Sequence, residues 1–177
     1  MPSKPKKSPA KPSVETAATV VAALQRLGTK ATRDGMARYA IPSDKAFGVP
    51  VGVLKKEAKR LGRNHVLAIE LWETGWYEAR MLATFIDDPA SVTPAQMDQW
   101  CKDFDNWAIV DTACFHLFDR TPHAWEKVAK WSRSRDEFVK RAAFALLWSL
   151  SLHDKQATEA QFLKSLSLIE CESTDER

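Results

Sequence analysis

The sequence predicts an all-α protein, a solenoid of short paired helices, and three observations carry that prediction. No stretch alternates apolar and polar residues with period two between turn signals, so no sheet is expected. Apolar residues recur instead at three- and four-residue spacing along most of the 177 residues. Glycines, prolines and capping residues cut this pattern into segments of roughly 10–19 residues, and consecutive pairs return about every 35–45 residues, the length of a two-helix repeat.

A chain of this length can bury one core of ordinary size. Hydrophobic residues make up 45% and charged residues 28%, a globular balance. No apolar run approaches the ~20 residues of a membrane span. No charged-then-apolar leader is present either, so a cytoplasmic protein without membrane contact is expected. Cys101, Cys114 and Cys171 are odd in number and lack CxxC spacing, which points to reduced thiols. His65, His116, His123 and His153 show no metal-ligand spacing, so neither a metal nor another cofactor is expected.

Net charge is +3, but residues 1–13 contribute four lysines and no acid, leaving the body at −1. That charge is laid out in blocks. Ten basic and three acidic residues fall within 26–63, ten acidic and two basic within 70–119, and seven basic and three acidic within 120–141. Two basic blocks around an acidic one fit a basic groove lined by early and late helices; solvated helix faces produce the same pattern.

In chain order, residues 1–13 are rich in Pro, Lys and Ser and are expected to form a disordered basic tail, with the helical domain over 14–177. Val14–Leu27 carries Ala18, Val21, Ala22 and Leu24 on its apolar face, and Gly28 stops it. Lys30–Tyr39 ends before Ile41-Pro42, because a residue preceding proline resists helical geometry. Residues 43–50 are a loop. Val51–Leu61 is a strongly basic helix with Val53, Leu54, Ala58 and Leu61 inward and Gly62 as stop. Asn64–Thr74 and Tyr77–Ile86, broken at Gly75, are apolar most of the way round, as helices with neighbours on two sides are. Thr93 caps and Pro94 starts a helix carrying Met97, Trp100, Cys101 and Phe104. The next runs from Asn106 to Asp119 with Asp105 as its N-cap. Pro122 opens a helix carrying Trp125, Val128, Ala129 and Trp131. Arg135–His153 and Thr158–Glu170 complete a HEAT-like α-solenoid of about nine to ten helices. An irregular helical bundle is the alternative.

On the 106–119 helix, Trp107 and Asp111 stand four residues apart and share a face. An indole beside a carboxylate suits a planar cation, which the ring attracts through its π-face and the acid attracts by charge. From spacing alone, a core tryptophan next to a solvent-facing aspartate is the simpler reading.

Five segments then add up to more than any of them alone. Gly35-Met36-Ala37-Arg38-Tyr39, the Phe47-Gly48-Val49 loop, Leu71-Trp72-Glu73 with Tyr77-Glu78-Ala79-Arg80-Met81-Leu82-Ala83, Asp105-Asn106-Trp107 with Val110-Asp111, and Phe138-Val139-Lys140-Arg141-Ala142-Ala143 occur in that order. Together they resemble the DNA alkylation repair glycosylases of the AlkC/AlkD type, which are HEAT-like repeat proteins. The match runs from Val14 to the C-terminus. The resemblance implies a monofunctional, monomeric DNA glycosylase. It would excise bulky or cationic alkylated purines, of the 3-methyladenine and 7-methylguanine type, from duplex DNA in base excision repair. It gives catalytic roles to Trp107 and Asp111, the groove arginine to Arg141 beside Lys140, and a lesion-side tyrosine to Tyr39. The family carries a further helix, with a second aromatic wall, beyond the segment resembling Phe162–Arg177. This sequence contains no such helix, and it has Ala108 where many members carry an acid.

The chemistry fits these residue types. A purine alkylated on nitrogen is already cationic and leaves without a strong general acid. Hydrolysis builds positive charge on the sugar, which a carboxylate at Asp111 stabilises while it orients or deprotonates water. Trp107 favours a cationic base over neutral ones by a contact worth ~0.5–2 kcal/mol. Arg141 grips a phosphate without reading sequence, and Lys55, Lys56 and Lys59 of the basic helix add salt-sensitive phosphate contacts. Arg141 can instead pair with Glu137, and Tyr39 can be packing. The other six tryptophans are expected in core or surface packing, with Trp148 or another indole as the alternative source of the second aromatic wall. A catalytically inactive HEAT-like module that binds DNA or a protein is the second hypothesis. The carboxylate favours the enzyme, since a phosphate binder gains nothing from an acid in its groove.

Overall fold

A computed structural model describes residues 15–175; the expected basic tail at 1–13 lies outside the described residues. The described residues form ten α-helices, two 3₁₀ turns and no strand. The helices are α1 (Ala17–Leu27), α2 (Lys30–Met36), α3 (Val51–Leu61), α4 (His65–Glu73), α5 (Tyr77–Ile86), α6 (Pro94–Lys102), α7 (Trp107–His116), α8 (Ala124–Trp131), α9 (Glu137–His153) and α10 (Glu159–Glu172). None is long and apolar enough to cross a membrane.

Helix ends differ from the sequence expectation where caps and turns decide them. Thr16 and Thr19 form a reciprocal capping box, so α1 starts at Ala17 rather than Val14. Residues 37–39 tighten into a 3₁₀ turn, and Ala40, at φ 53°, ends the second segment in the left-handed region. The expected 106–119 helix is also shorter. Leu117 leaves helical geometry, and a 3₁₀ turn at 118–120 replaces the last helical turn. Its N-cap is Asn106, not Asp105: the Asn106 side chain accepts from the Ile109 amide at 3.0 Å, three residues on, which is the reach a capping oxygen has. Asp105 accepts from the Asn106 side-chain amide instead.

The architecture is a HEAT-like solenoid. α3, α5, α7 and α9 pack in succession into one layer, while α4 pairs with α5 and α8 with α9 from the other side. α7 and α9 run parallel, since Asp111 meets Arg141, Phe115 meets Trp148 and Asp119 meets Ser149 in register. The core between layers is a stack of rings: Trp72 lies on Trp100 at 4.0 Å and 2°, with Phe104, Phe118 and Trp131 around them.

Two polar pins hold the first half in place. The buried Glu78 carboxylate accepts from the backbone amides of Phe47, Gly48 and Val49 at 2.7–3.1 Å, fastening the 43–50 loop to α5. Gly48 sits at φ 81°, and a Cβ there would lie 2.4 Å from the Thr29 carbonyl, so the loop docks this closely only with glycine. Arg80 donates to the Asp103 carbonyl at 2.9 Å and lies 5.3 Å over the Trp72 ring, whose indole N–H donates to the Asp103 carboxylate.

Candidate active site

The parallel packing of α7 and α9 brings the first turns of both helices to one cleft. Apolar residues at Ile109, Val110, Ala113 and Cys114 turn one side of α7 into the core. Trp107 and Asp111, on the opposite side, therefore face outward. On α9, Ala142, Ala143, Leu146 and Leu150 are buried, which leaves Arg141, Phe144 and Trp148 on the side toward the cleft. Asp136 caps α9 by accepting from the Val139 amide at 3.0 Å and fixes where that face begins.

The cleft encloses about 380 Å³ and is lined by Trp107, Asp111, Lys140, Arg141, Phe144 and Trp148 together with Glu137, Ala145, Glu172 and Asp175. Trp107 is 56% exposed, so it is not the core tryptophan that spacing alone made the simpler reading. Arg141 does not pair with Glu137. Its Nη2 donates to Asp111 Oδ2 at 2.7 Å and its Nε to Oδ1 at 3.2 Å, a two-pronged ion pair. The same guanidinium lies 3.9 Å from the Trp107 ring centroid. An indole face and a carboxylate thus hold one planar, delocalised cation between them, and it is a side chain of the protein itself.

Lys140 is also engaged. Its ammonium donates to Asp175 at 2.6 Å and to Glu172, both at the end of α10, and these two acids raise its pKa. The end of α10 therefore brings negative charge to the rim of the cleft. Lys55, Lys56 and Lys59 are exposed on α3. Lys55 lies 5.8 Å from the Phe85 ring, Phe85 meets His116 of α7 at 5.0 Å, and none of the three lysines lines the cleft. Burial and the nearby Lys55 and Arg120 charges lower the His116 pKa. Tyr39 is not brought to the cleft. It is 74% exposed and borders a separate depression with Tyr77 and Val51, so it is neither core packing nor part of this cavity.

Trp148, expected in core or surface packing or as a substitute for the second aromatic wall, is 59% exposed and lines the cleft. The signal for its side of α9 was available: position 148 lies seven residues after Arg141 and so returns to the same helix face. Trp72, Trp100 and Trp131 are buried as expected.

Residues 20–176 match the DNA alkylation repair enzyme family. The chain belongs to that family. The chain is also similar to an uncharacterised protein of Listeria innocua, Lin0241, at 25% identity over 134 residues. The match covers 74% of the present chain and 59% of the relative, so the chain spans less than two thirds of that relative's length. A solved structure, of a new family of proteins related to the HEAT-like repeat DNA glycosylases with affinity for branched DNA structures, superposes with a TM-score of 0.78 at 26% identity. The match covers 89% of the present chain and 67% of the other.

Proposed function

We propose that the protein is a DNA glycosylase that hydrolyses the N-glycosidic bond of cationic alkylated purines in duplex DNA. The observation that carries this reading is the Arg141 guanidinium held between the Trp107 ring and the Asp111 carboxylate. A 3-methyladenine or 7-methylguanine ring resembles that guanidinium in being planar, with its positive charge delocalised. The pair that binds one is chemically fitted to the other.

In the reaction, water adds its oxygen to C1′ and gives a proton to Asp111. The electrons of the C1′–N bond pass to the base, which leaves uncharged. Asp111 faces the positive charge that develops on the sugar, where a fixed carboxylate stabilises the transition state more than the ground state. Arg141 must leave Asp111 for this to happen, and a DNA phosphate is the competing anion that draws it away. Arg141 would then position the backbone, with Lys55, Lys56 and Lys59 contacting phosphates further along the groove.

Release of methylated purines from alkylated duplex DNA, by the parent and by Asp111→Asn, tests the proposal. The parent should release base, and the variant should lose roughly 10²–10⁴-fold in rate. No release by a folded parent would sink the glycosylase reading. A second reading is then favoured by the branched-DNA affinity of the similar solved structure: a non-catalytic DNA-binding module, which would bind a four-way junction with equal strength before and after Asp111→Asn.

A further inference from the structure

Both cations that line the cleft are held by acids of the protein itself. Arg141 is taken by Asp111, and Lys140, one turn into α9, is taken by Asp175 at 2.6 Å and by Glu172. Among the described residues the lining holds no other lysine or arginine, and it carries four acids, Asp111, Glu137, Glu172 and Asp175, against these two bases. A cleft with a surplus of two negative charges repels a phosphate backbone. Without Glu172 and Asp175 the charges balance, and the start of α9 presents the positive end of a helix dipole, which favours an anion. The two carboxylates therefore stand where a phosphate would be drawn.

The helix that delivers them is lightly held. Of the fourteen residues of α10 only Ser165 is buried, and Leu163, Leu166 and Ile169 lie exposed. Its start is anchored by Phe162, whose ring meets Trp125 at 5.1 Å; its far end is tied by the partly buried Leu168 and by the ion pairs to Lys140. Partly exposed ion pairs are individually weak, and a DNA backbone, which releases counterions as it binds, competes with them.

We propose that α10 is a strap that closes the cleft in the free protein and is displaced when duplex DNA enters. A phosphate takes over Lys140, the end at 172–175 lifts away, and Phe162 on Trp125 remains as the hinge. The cost of opening is part of every binding event, so the strap weakens binding until a backbone is present to displace it. This inference rests on the reading of the protein as one that acts on duplex DNA, and not on the chemistry at Asp111.

Amide hydrogen exchange followed by mass spectrometry, with and without unmodified duplex, tests it, with anisotropy for the affinity. Contact with DNA ordinarily slows exchange. The α10 amides should instead exchange roughly tenfold faster in the complex, because a helix of this length without packing is marginal in water. Glu172→Gln with Asp175→Asn should show that fast exchange in α10 without DNA, keep the parent's protection elsewhere, bind duplex more tightly, and change no further in α10 when duplex is added. Glu170→Gln removes a charge from an exposed position of the same helix and should behave as the parent does. Slow α10 exchange in the free double variant overturns the strap. So does tightening by Glu170→Gln as large as that of the double variant, which would be an effect of charge alone. A parent that binds no duplex overturns the DNA reading and this inference together; duplex binding with α10 exchange unchanged or slowed overturns this inference alone.

Discussion

Asp98 accepts from Lys127 at 2.9 Å, from Lys130 at 2.7 Å and from the Trp131 indole at 2.9 Å, gathering α8 onto α6 through one carboxylate. Burial pushes its pKa up, but the bonds from Lys130, Lys127 and Trp131 outweigh that and hold it at about 2. A folded pKa below the unfolded one means that the stabilisation is complete above about pH 4 and is lost as pH falls through about 2. A quarter of the Asp98 side chain remains in water, which discounts the contribution to roughly 1–2 kcal/mol. Asp98→Asn is expected to flatten the acid limb of a stability-versus-pH curve measured by denaturant unfolding. It also leaves Lys127, 1% exposed, without its counter-charge. The loss at neutral pH should approach the roughly 3–5 kcal/mol of a broken buried pair. A midpoint unchanged at pH 7 would show that water reaches Lys127. Glu78→Gln is the parallel case in the first half: an uncharged amide offers one oxygen where three backbone amides now meet a carboxylate. It should cost at least about 1.5–3 kcal/mol by thermal or denaturant unfolding.

Among the elements, α10 does something that its sequence did not announce. Thr158 and Gln161 cap its start, and its far end delivers Glu172 and Asp175 to Lys140. In a groove that receives phosphate, those two carboxylates compete for the same ammonium. Glu172→Gln with Asp175→Asn is expected to free Lys140, tighten duplex binding, and steepen the dependence of log affinity on log salt by about one phosphate contact. Anisotropy titrations at several salt concentrations would detect it, and an unchanged slope would mean that Lys140 lies off the DNA path. Helix existence and order were legible because the apolar period is strong; α3 and α5 match residue for residue. Some ends moved through side-chain reach, as with Asn106 for Asp105, and others through a 3₁₀ turn, as at 37–39 and 118–120; the helix expected to open at Pro122 starts at Ala124 without a side-chain cap, and the last runs to Glu172 instead of Glu170. The Trp107–Asp111 pairing was readable from four-residue spacing. The partner of Arg141 was not, because it lies 30 residues away and depends on two helices being parallel. The exposure of Trp148 was not legible for a related reason: core and surface indoles share the same spacing, and only the packing of α9 shows which one is left out.

Across the whole molecule, the alternating charge blocks acquire a physical account. Several acids of 70–119 are engaged inside the fold, although Glu70, Glu73 and Asp105 stay exposed. Glu78 binds backbone amides, Asp87 binds His65 and Gln96, and Asp98 and Asp103 accept from indoles. The bases of α3, by contrast, stay in water, with Lys55, Lys56 and Lys59 exposed. A body of net charge −1 can therefore present a basic surface on α3, because Glu78 and Asp87 are turned inward while Lys55, Lys56 and Lys59 face water. If α3 lies along the DNA path, Lys55→Gln, Lys56→Gln and Lys59→Gln together should reduce the log–log salt slope by about 2.7, at roughly 0.9 per phosphate contact. Binding should weaken on alkylated and unmodified duplex alike, because phosphate contacts carry no information about the base. The triple variant should keep the parent's release rate at saturating enzyme, since none of the three lysines lines the cleft at Trp107 and Asp111. A slope equal to the parent's would place the duplex on another face. A fall in the saturating rate would mean instead that α3 takes part in seating the damaged nucleotide as well as in holding the backbone.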